Sequence, residues 1–297
     1  MTAELTTMRT PVAPQGRVDV PRRKRPKGRL GTILNTTAMA VIALISTGPF
    51  IWLLFSSVKL DRDVGKLSLI GSEIRWANFT DAFELVPFGQ YIVNGLLVAT
   101  LGTALVVLVS VLGAYAFARL TFRGRDKLFL AYLGTLLLPQ EILVIPMYML
   151  MRELGLIDSY TALIVPWAFG AFGTFLLRQF MLTVPAELED AARIDGAGRI
   201  RILFTVHLPL IRPALAVLAV FTFINYWNSF LWPLIVTNSP DKLTVPVGLN
   251  YFTTETGTAY GPLLAGCLLS VLPCVVLVVA MQRHLVKGLT LGAFGGR

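Results

Sequence analysis

Residues Pro185 to Pro213 read PAELEDAARIDGAGRIRILFTVHLPLIRP, a polar stretch of mixed charge inside a chain that is otherwise mostly apolar. Four acids, Glu187, Glu189, Asp190 and Asp195, interleave with Arg193, Arg199, Arg201 and Arg212. Thr183 and Pro185 mark a helix start, because proline is tolerated where the first amide has no partner inside the helix. Leu188, Ala191 and Ala192 fall at i, i+3 and i+4 and give that helix one small, smooth apolar stripe. Gly196 reads as the turn that ends it, since glycine enters the left-handed conformation readily. A second short helix follows, with Ile200 and Phe204 as its apolar positions, and Pro209 and Pro213 close it before a long apolar run. The expected unit is a helix–turn–helix knob over about 185–209, projecting from a membrane domain and small enough at its tip to enter a partner's groove.

Working outward, composition fixes the class. Of 297 residues 55% are hydrophobic and only 14% charged, where a soluble domain carries roughly 25% charged residues, so the chain reads as a membrane protein. The net charge of +9 would point to nucleic acid in a soluble chain. Here the bases sit at the ends of apolar runs, as cytoplasmic loops of membrane proteins do, and nucleic-acid binding is rejected. Cys267 and Cys274 share one apolar run; on a helix they stand roughly 10 Å apart, too far for a disulfide.

The expected architecture is all-α and polytopic, with six transmembrane helices. Residues 1–30 form a basic, disordered tail, uncleaved because the apolar stretch behind it is too long for a signal peptide. Apolar runs long enough for the ~20 residues of a spanning helix cover about 31–58, 86–118, 128–151, 161–182, 212–238 and 260–283, with a C-terminal tail over 288–297. Lys and Arg concentrate in the N-terminal tail, the 119–127 loop, the knob and the C-terminus. The positive-inside rule therefore places both termini and the knob, between the fourth and fifth spans, in the cytoplasm of a multi-pass plasma-membrane protein.

At the knob the sequence resembles a family. DAARIDGA, with Phe204 seven positions after Ala197 and LPL at 208–210, is similar to the EAA loop of ATP-binding-cassette importer permeases. FLLRQFMLTVPAELEDAARIDGA, NYWNSFLWPLI at 225–235 and MQRHLVKGLTLGAFGG at the end extend the likeness to the carbohydrate-uptake branch, over roughly 30–297. The resemblance implies that Glu187, Asp190, Ala191, Ala192, Asp195, Gly196, Ala197, Phe204 and Pro209 form a coupling loop docked on a cytoplasmic ATPase. Asp190 stands where the family has Glu, which shortens any contact made by that arm. It also implies a second, unlike permease subunit, an ATPase dimer that binds ATP and Mg, an extracytoplasmic solute-binding protein and a sugar substrate. No cofactor is expected in this chain, and no enzyme activity. The sequence has no G-x-x-x-x-G-K-[ST], HExxH, CxxC or G-x-S-x-G, and hence no P-loop, zincin helix, thiol pair or serine elbow. His207 and His284 read as helix-end or headgroup residues.

Polar residues at membrane depth are the remaining signal, since an unpaired polar group in hydrocarbon is costly. Glu141, beside Pro139 in the third span, reads either as a path-lining residue or as a structural acid in a water-filled crevice. Asn225 and Asn228 stand at i, i+3, with amides able to bond sugar hydroxyls, and Trp227 offers a ring to stack on a sugar. The competing reading is interhelical amide pairing, and Trp232 reads as an interfacial belt residue. Asn94, early in the second span, is a weaker candidate of the same kind. Gly102, Gly113, Gly170 and Gly173 read as packing contacts. The alternatives are an importer for a polyol, glycerol phosphate or amino acid, and an ion-coupled transporter with Glu141 as its proton carrier.

Overall fold

The computed structural model describes residues 29–66, 68–254 and 257–294, with the side chains of 29–31 and 284–294 outside that description. The expected N-terminal tail therefore lies almost wholly outside the described residues. The chain separates into two units, Met1–Pro49 and Phe50–Arg297. The first contains the greater part of α1 (Arg29–Ser56), a long apolar helix whose described side chains are largely exposed.

In the second unit α2 (Ala77–Leu85) precedes α3 (Phe88–Arg119), a long apolar rod inside the fold. Then come α4 (Arg125–Gly134), α5 (Gln140–Glu153), α6 (Tyr160–Ile164) and α7 (Ala171–Leu182). The knob follows, and the chain returns through α11 (Arg212–Trp227), α12 (Leu231–Val236), α13 (Val245–Gly248) and α14 (Tyr260–Phe294). A two-residue antiparallel ladder, β1 (Thr253–Thr254) with β2 (Gly257–Thr258), pairs Thr253 with Thr258; it is the one departure from all-α among the described residues. α14 carries helix to Phe294, past the expected end of the sixth span.

Among the described residues three helices are long and apolar enough to cross a membrane, or up to five if each bent pair counts as one span. α1, α3 and α14 match the expected first, second and sixth runs. The middle three runs are interrupted, the third run at Pro139, where the sequence puts a break. The run over 128–151 is two helices meeting at 100°, because Pro139 has no amide proton to continue α4 and restricts the residue before it. The run over 161–182 is interrupted between Ile164 and Ala171, around Pro166 and Gly170. The run over 212–238 stops at Trp227 and resumes at Leu231.

α3 is the axis of the unit. It packs on α7 and α11, and α11 in turn packs on α14. The approaches are close because small residues face large ones: a Cβ added at Gly102 would lie 2.7 Å from the Tyr226 ring, and one at Gly173 would strike Ser110. Gly170 is different: it has open space around it and lines a cavity. Two apolar cores are strung along α3. One gathers Phe88, Tyr91, Val98, Trp227, Trp232 and Val245. The other gathers Ala114, Tyr115, Leu177, Met181, Leu203 and Ile211 directly behind the knob.

Candidate functional site

The knob has the expected form. α8 (Ala186–Ile194) starts behind Pro185 and ends at a turn in which Gly196 has φ 78°. α9 (Arg199–Ile202) runs on through a π-helical turn, Leu203–His207, into α10 (Leu208–Leu210). The wide turn has a local cause: Pro209 cannot donate to the Thr205 carbonyl, and the amide of Leu208 reaches back to Leu203. The segment Arg199–Leu210 then meets α11 at 82°.

The apolar residues at the tip point outward. Ile194 is 87% exposed, Ile200 75% and Phe204 56%, and Leu188 is exposed as well. Glu187, Asp190, Ala191, Asp195 and Gly196 are all exposed, while Ala192, Ala197 and Pro209 are half-buried. The acids of the first turn lie at the positive end of the α8 dipole. Apolar side chains thus stand in the open here, flanked by exposed acids.

The root of the knob is where sequence reasoning fell short. Among the described residues of α8 only Glu189 is buried. Its carboxylate meets Nε2 of His207 in a short contact, the Arg193 guanidinium at 3.2 Å and Nε of Arg119 at 3.5 Å. Arg119 also donates to the carbonyls of Met181 at 2.6 Å and Val184 at 2.5 Å, closing the end of α7. His207, expected at a helix end or near the headgroups, closes the π-helical turn and is fully buried, its ring edge-on to Tyr115. A histidine so placed satisfies a buried carboxylate, which solvent could not reach. Arg178 donates to the Phe117 carbonyl at 3.2 Å and lies 4.2 Å over the Phe129 ring.

The second candidate site opens at the breaks in the middle helices. A cavity of about 180 Å³ is bordered by Gln140, Glu141, Trp167, Asn225, Ser229 and Trp232. A second, of about 280 Å³, shares Gln140, Trp167, Asn225 and Tyr226 with it and adds Thr222 and Phe221. The 100° bend at Pro139 brings Gln140 and Glu141 to the rim, and Glu141 is exposed in the first turn of α5. Trp167 and Trp232 stand edge to face at 5.5 Å, and the Trp232 indole donates to the Ala162 carbonyl, so its ring is fixed in the cavity wall. Among the described residues lining these two cavities, Glu141 is the sole charged one.

The sequence candidates scatter. Asn225 and Glu141 meet at the cavity; Gln140, Trp167, Thr222 and Ser229 were not singled out. Leu218, Thr222, Asn225 and Ser229 form a stripe at helical spacing along and just past α11, a pattern that pairs Asn225 with Ser229 rather than with Asn228. Asn228 ends α11 and borders a different cavity, with Ile224, Ser270 and Cys274. Trp227 is packed between α3 and α14: its indole donates to Ser270, and it closes on Gly95. Asn94 is buried with its amide fully used, donating to the carbonyls of Asp241 and Leu243 and accepting from Gln90 and Tyr160. It rivets α3 to the 240–243 loop.

The sequence profile of the family described as binding-protein-dependent transport system inner membrane component matches residues 125–291. The chain is 36% identical over 278 residues to the arabinooligosaccharides transport system permease protein AraQ of Halalkalibacterium halodurans, covering 92% of this chain and all of the relative. It is 37% identical over 231 residues to the sn-glycerol-3-phosphate transport system permease protein UgpE of Yersinia pestis bv. Antiqua, covering 75% of this chain and 82% of that one. In structure it is similar to a chain of a bacterial ABC transporter involved in the import of the acidic polysaccharide alginate, with TM-score 0.76, 25% identity and coverage of 90% and 100%.

Proposed function

Because the chain belongs to the binding-protein-dependent transport system inner membrane components, it is a transport subunit and not an enzyme, and we propose that it moves a sugar or short oligosaccharide as one of two unlike permeases of an ATP-binding-cassette importer. ATP and Mg bind the separate ATPase dimer, and an extracytoplasmic solute-binding protein delivers the sugar. The chain crosses the plasma membrane six times, the broken middle helices each completing one crossing, with both termini and the knob in the cytoplasm.

The observation that carries this reading is the knob, which leaves Ile194, Ile200 and Phe204 in the open beside exposed acids. The sequence supplies no phosphate-binding loop of its own, so the energy enters through whatever grips that surface. Glu187, Asp190, Ala191, Ala192, Asp195, Gly196, Ala197, Phe204 and Pro209 form the docking unit. Nucleotide-driven closure of the ATPase pair moves it, and the helices around the cavity alternate between outward and inward openings, a two-state element biased from one side.

Gln140, Glu141, Asn225, Ser229 and the paired tryptophans Trp167 and Trp232 form this subunit's share of the path. Amides and a hydroxyl beside fixed aromatic faces suit a neutral polyhydroxylated solute. Asn94, Trp227 and Asn228 support the helices around it. Likeness to UgpE favours a second reading, a glycerol phosphate. The cavity chemistry weighs against it, because a phosphate would meet Glu141 and no lining cation.

The test is uptake into proteoliposomes holding the whole importer. Neutral oligosaccharide should enter with ATP and without an ion gradient, and Asn225→Leu should lower that uptake with ATPase binding unchanged. Uptake driven by a proton gradient without ATP, and abolished by Glu141→Gln, would establish the ion-coupled alternative instead.

A further inference from the structure

The root of the knob presents a physical puzzle. A nine-residue helix is too short to hold itself in water, and α8 buries no apolar side chain that would glue it to the bundle. What it buries is the Glu189 carboxylate. A buried carboxylate is tolerated only where opposite charge and hydrogen bonds surround it. Here those partners come from two other elements. Arg119 belongs to the last turn of α3 and at the same time grips the two carbonyls closing α7, and His207 belongs to the π-helical turn that leads into α11.

The same three helices line the cavities: Val98 and Val106 from α3, Phe172 and Gly173 from α7, Leu218, Thr222 and Asn225 from α11. Asp190, the neighbouring acid, is exposed on the docking side. The two adjacent acids of α8 therefore differ in setting although Arg193 bridges them: Glu189 is buried against the bundle and Asp190 lies in the open.

Building on the permease reading above, we propose that Glu189, Arg119 and His207 form the joint through which displacement of the docking helix enters the three cavity-lining helices. Glu189 is a positioning residue: it touches neither the ATPase nor the solute. Charged contacts in a buried setting are directional and stiff, whereas an apolar face of the same size would slide. The joint converts a push on α8 into a rotation of α3, α7 and α11 together.

The test uses the full importer, with the partner permease, ATPase and binding protein, in proteoliposomes. Three quantities are read: ATPase co-purified per permease, ATP hydrolysed and solute imported per ATP. Glu189→Gln, which keeps the shape and loses the charge, should retain the ATPase and its hydrolysis while solute imported per ATP falls about tenfold. His207→Leu should give the same loss, and His207→Gln, whose amide still donates to the carboxylate, should recover most of it. An unchanged import-to-hydrolysis ratio in Glu189→Gln and His207→Leu would overturn the joint. So would loss of ATPase in proportion to uptake, which would make Glu189 a docking residue. Should Glu189→Gln fail to assemble, the ratio in His207→Leu against His207→Gln decides alone. Failure of the wild-type importer to use ATP at all would remove the permease reading on which the joint rests.

Discussion

Gly196 in the knob and Asp158 in the loop between α5 and α6 both have left-handed backbone, at φ 78° and φ 58°, but they are held in opposite ways. Gly196 has open space around it, and the segment carrying it is anchored at its root, by Glu189. Asp158 is its own anchor. Its carboxylate accepts from the amides of Asn238 and Ser239 at 3.0 Å, from the Ser239 hydroxyl and from Lys242 at 3.2 Å, and its amide donates to the Val236 carbonyl. The knob thus has a free tip on a stiff base, whereas the opposite turn is tied to the loop it meets. A lever needs the first arrangement and a latch needs the second.

The most disruptive way to break that contrast is to remove the base. Arg119→Met leaves Glu189 buried without its guanidinium from α3 and strips two carbonyls at the end of α7 of their donor. Breaking a buried pair on one side costs about 3–5 kcal/mol. The expected outcome is a large loss of folded protein, read as yield and thermal stability in detergent, and Arg119→Lys recovers only part because a lysine cannot fork between the carboxylate and two carbonyls.

The latch should give a smaller and pH-dependent effect. Asp158→Asn tolerates the same left-handed backbone, so it isolates the charge, and it should cost about 2 kcal/mol of stability at neutral pH. The hydroxyl and amide of Ser239, aided by Asn238 and Lys242, hold the Asp158 carboxyl well below the usual carboxylate range. A folded pKa lowered from about 3.9 gives stabilisation that is complete above that value and lost as pH falls through the folded one. The wild type and Asp158→Asn should therefore differ by a constant amount between about pH 5 and pH 7 and converge below about pH 4. Asp63, held down in the same way by Lys66 and Ser72, titrates in both proteins and cancels from the difference. A gap that stayed constant to low pH would show that Asp158 acts through its backbone and not its charge.

Why the sequence disclosed one of these regions and not the other is a matter of range. The knob is written locally: Pro185 starts a helix, Gly196 turns it and Pro209 widens the next. Long apolar runs likewise disclose α1, α3 and α14. Hydropathy adds up apolar content without regard to continuity, and so it joined α4 to α5, and α11 to α12, across breaks that give the cavity its shape. Apart from Arg193, the partners of Glu189 and Asp158 stand on other segments of the chain. Nothing near Glu189 distinguishes it from Glu187, although one faces Arg119 and the other solvent. The burial of His207 was hidden for the same reason, its environment being made by α3 and α8 rather than by its neighbours in sequence.

The gentlest probe sharpens the comparison at the free tip. A Cβ at Gly196 would meet nothing within 4 Å, so Gly196→Ala carries only the left-handed backbone cost of about 1 kcal/mol. Gly196→Asn adds a larger side chain but relieves much of that cost, since Asn visits the conformation readily. Within this chain alone, Asn should be the milder substitution, with near-native thermal stability. On a surface gripped by an ATPase the order should reverse, because the longer side chain enters the groove: ATPase recovered with the permease should fall further for Asn than for Ala. The two orders cannot both arise from folding. If co-purification instead tracked thermal stability across the pair, the tip would be an ordinary exposed turn, and the division between a free tip and a stiff base would lose its functional meaning.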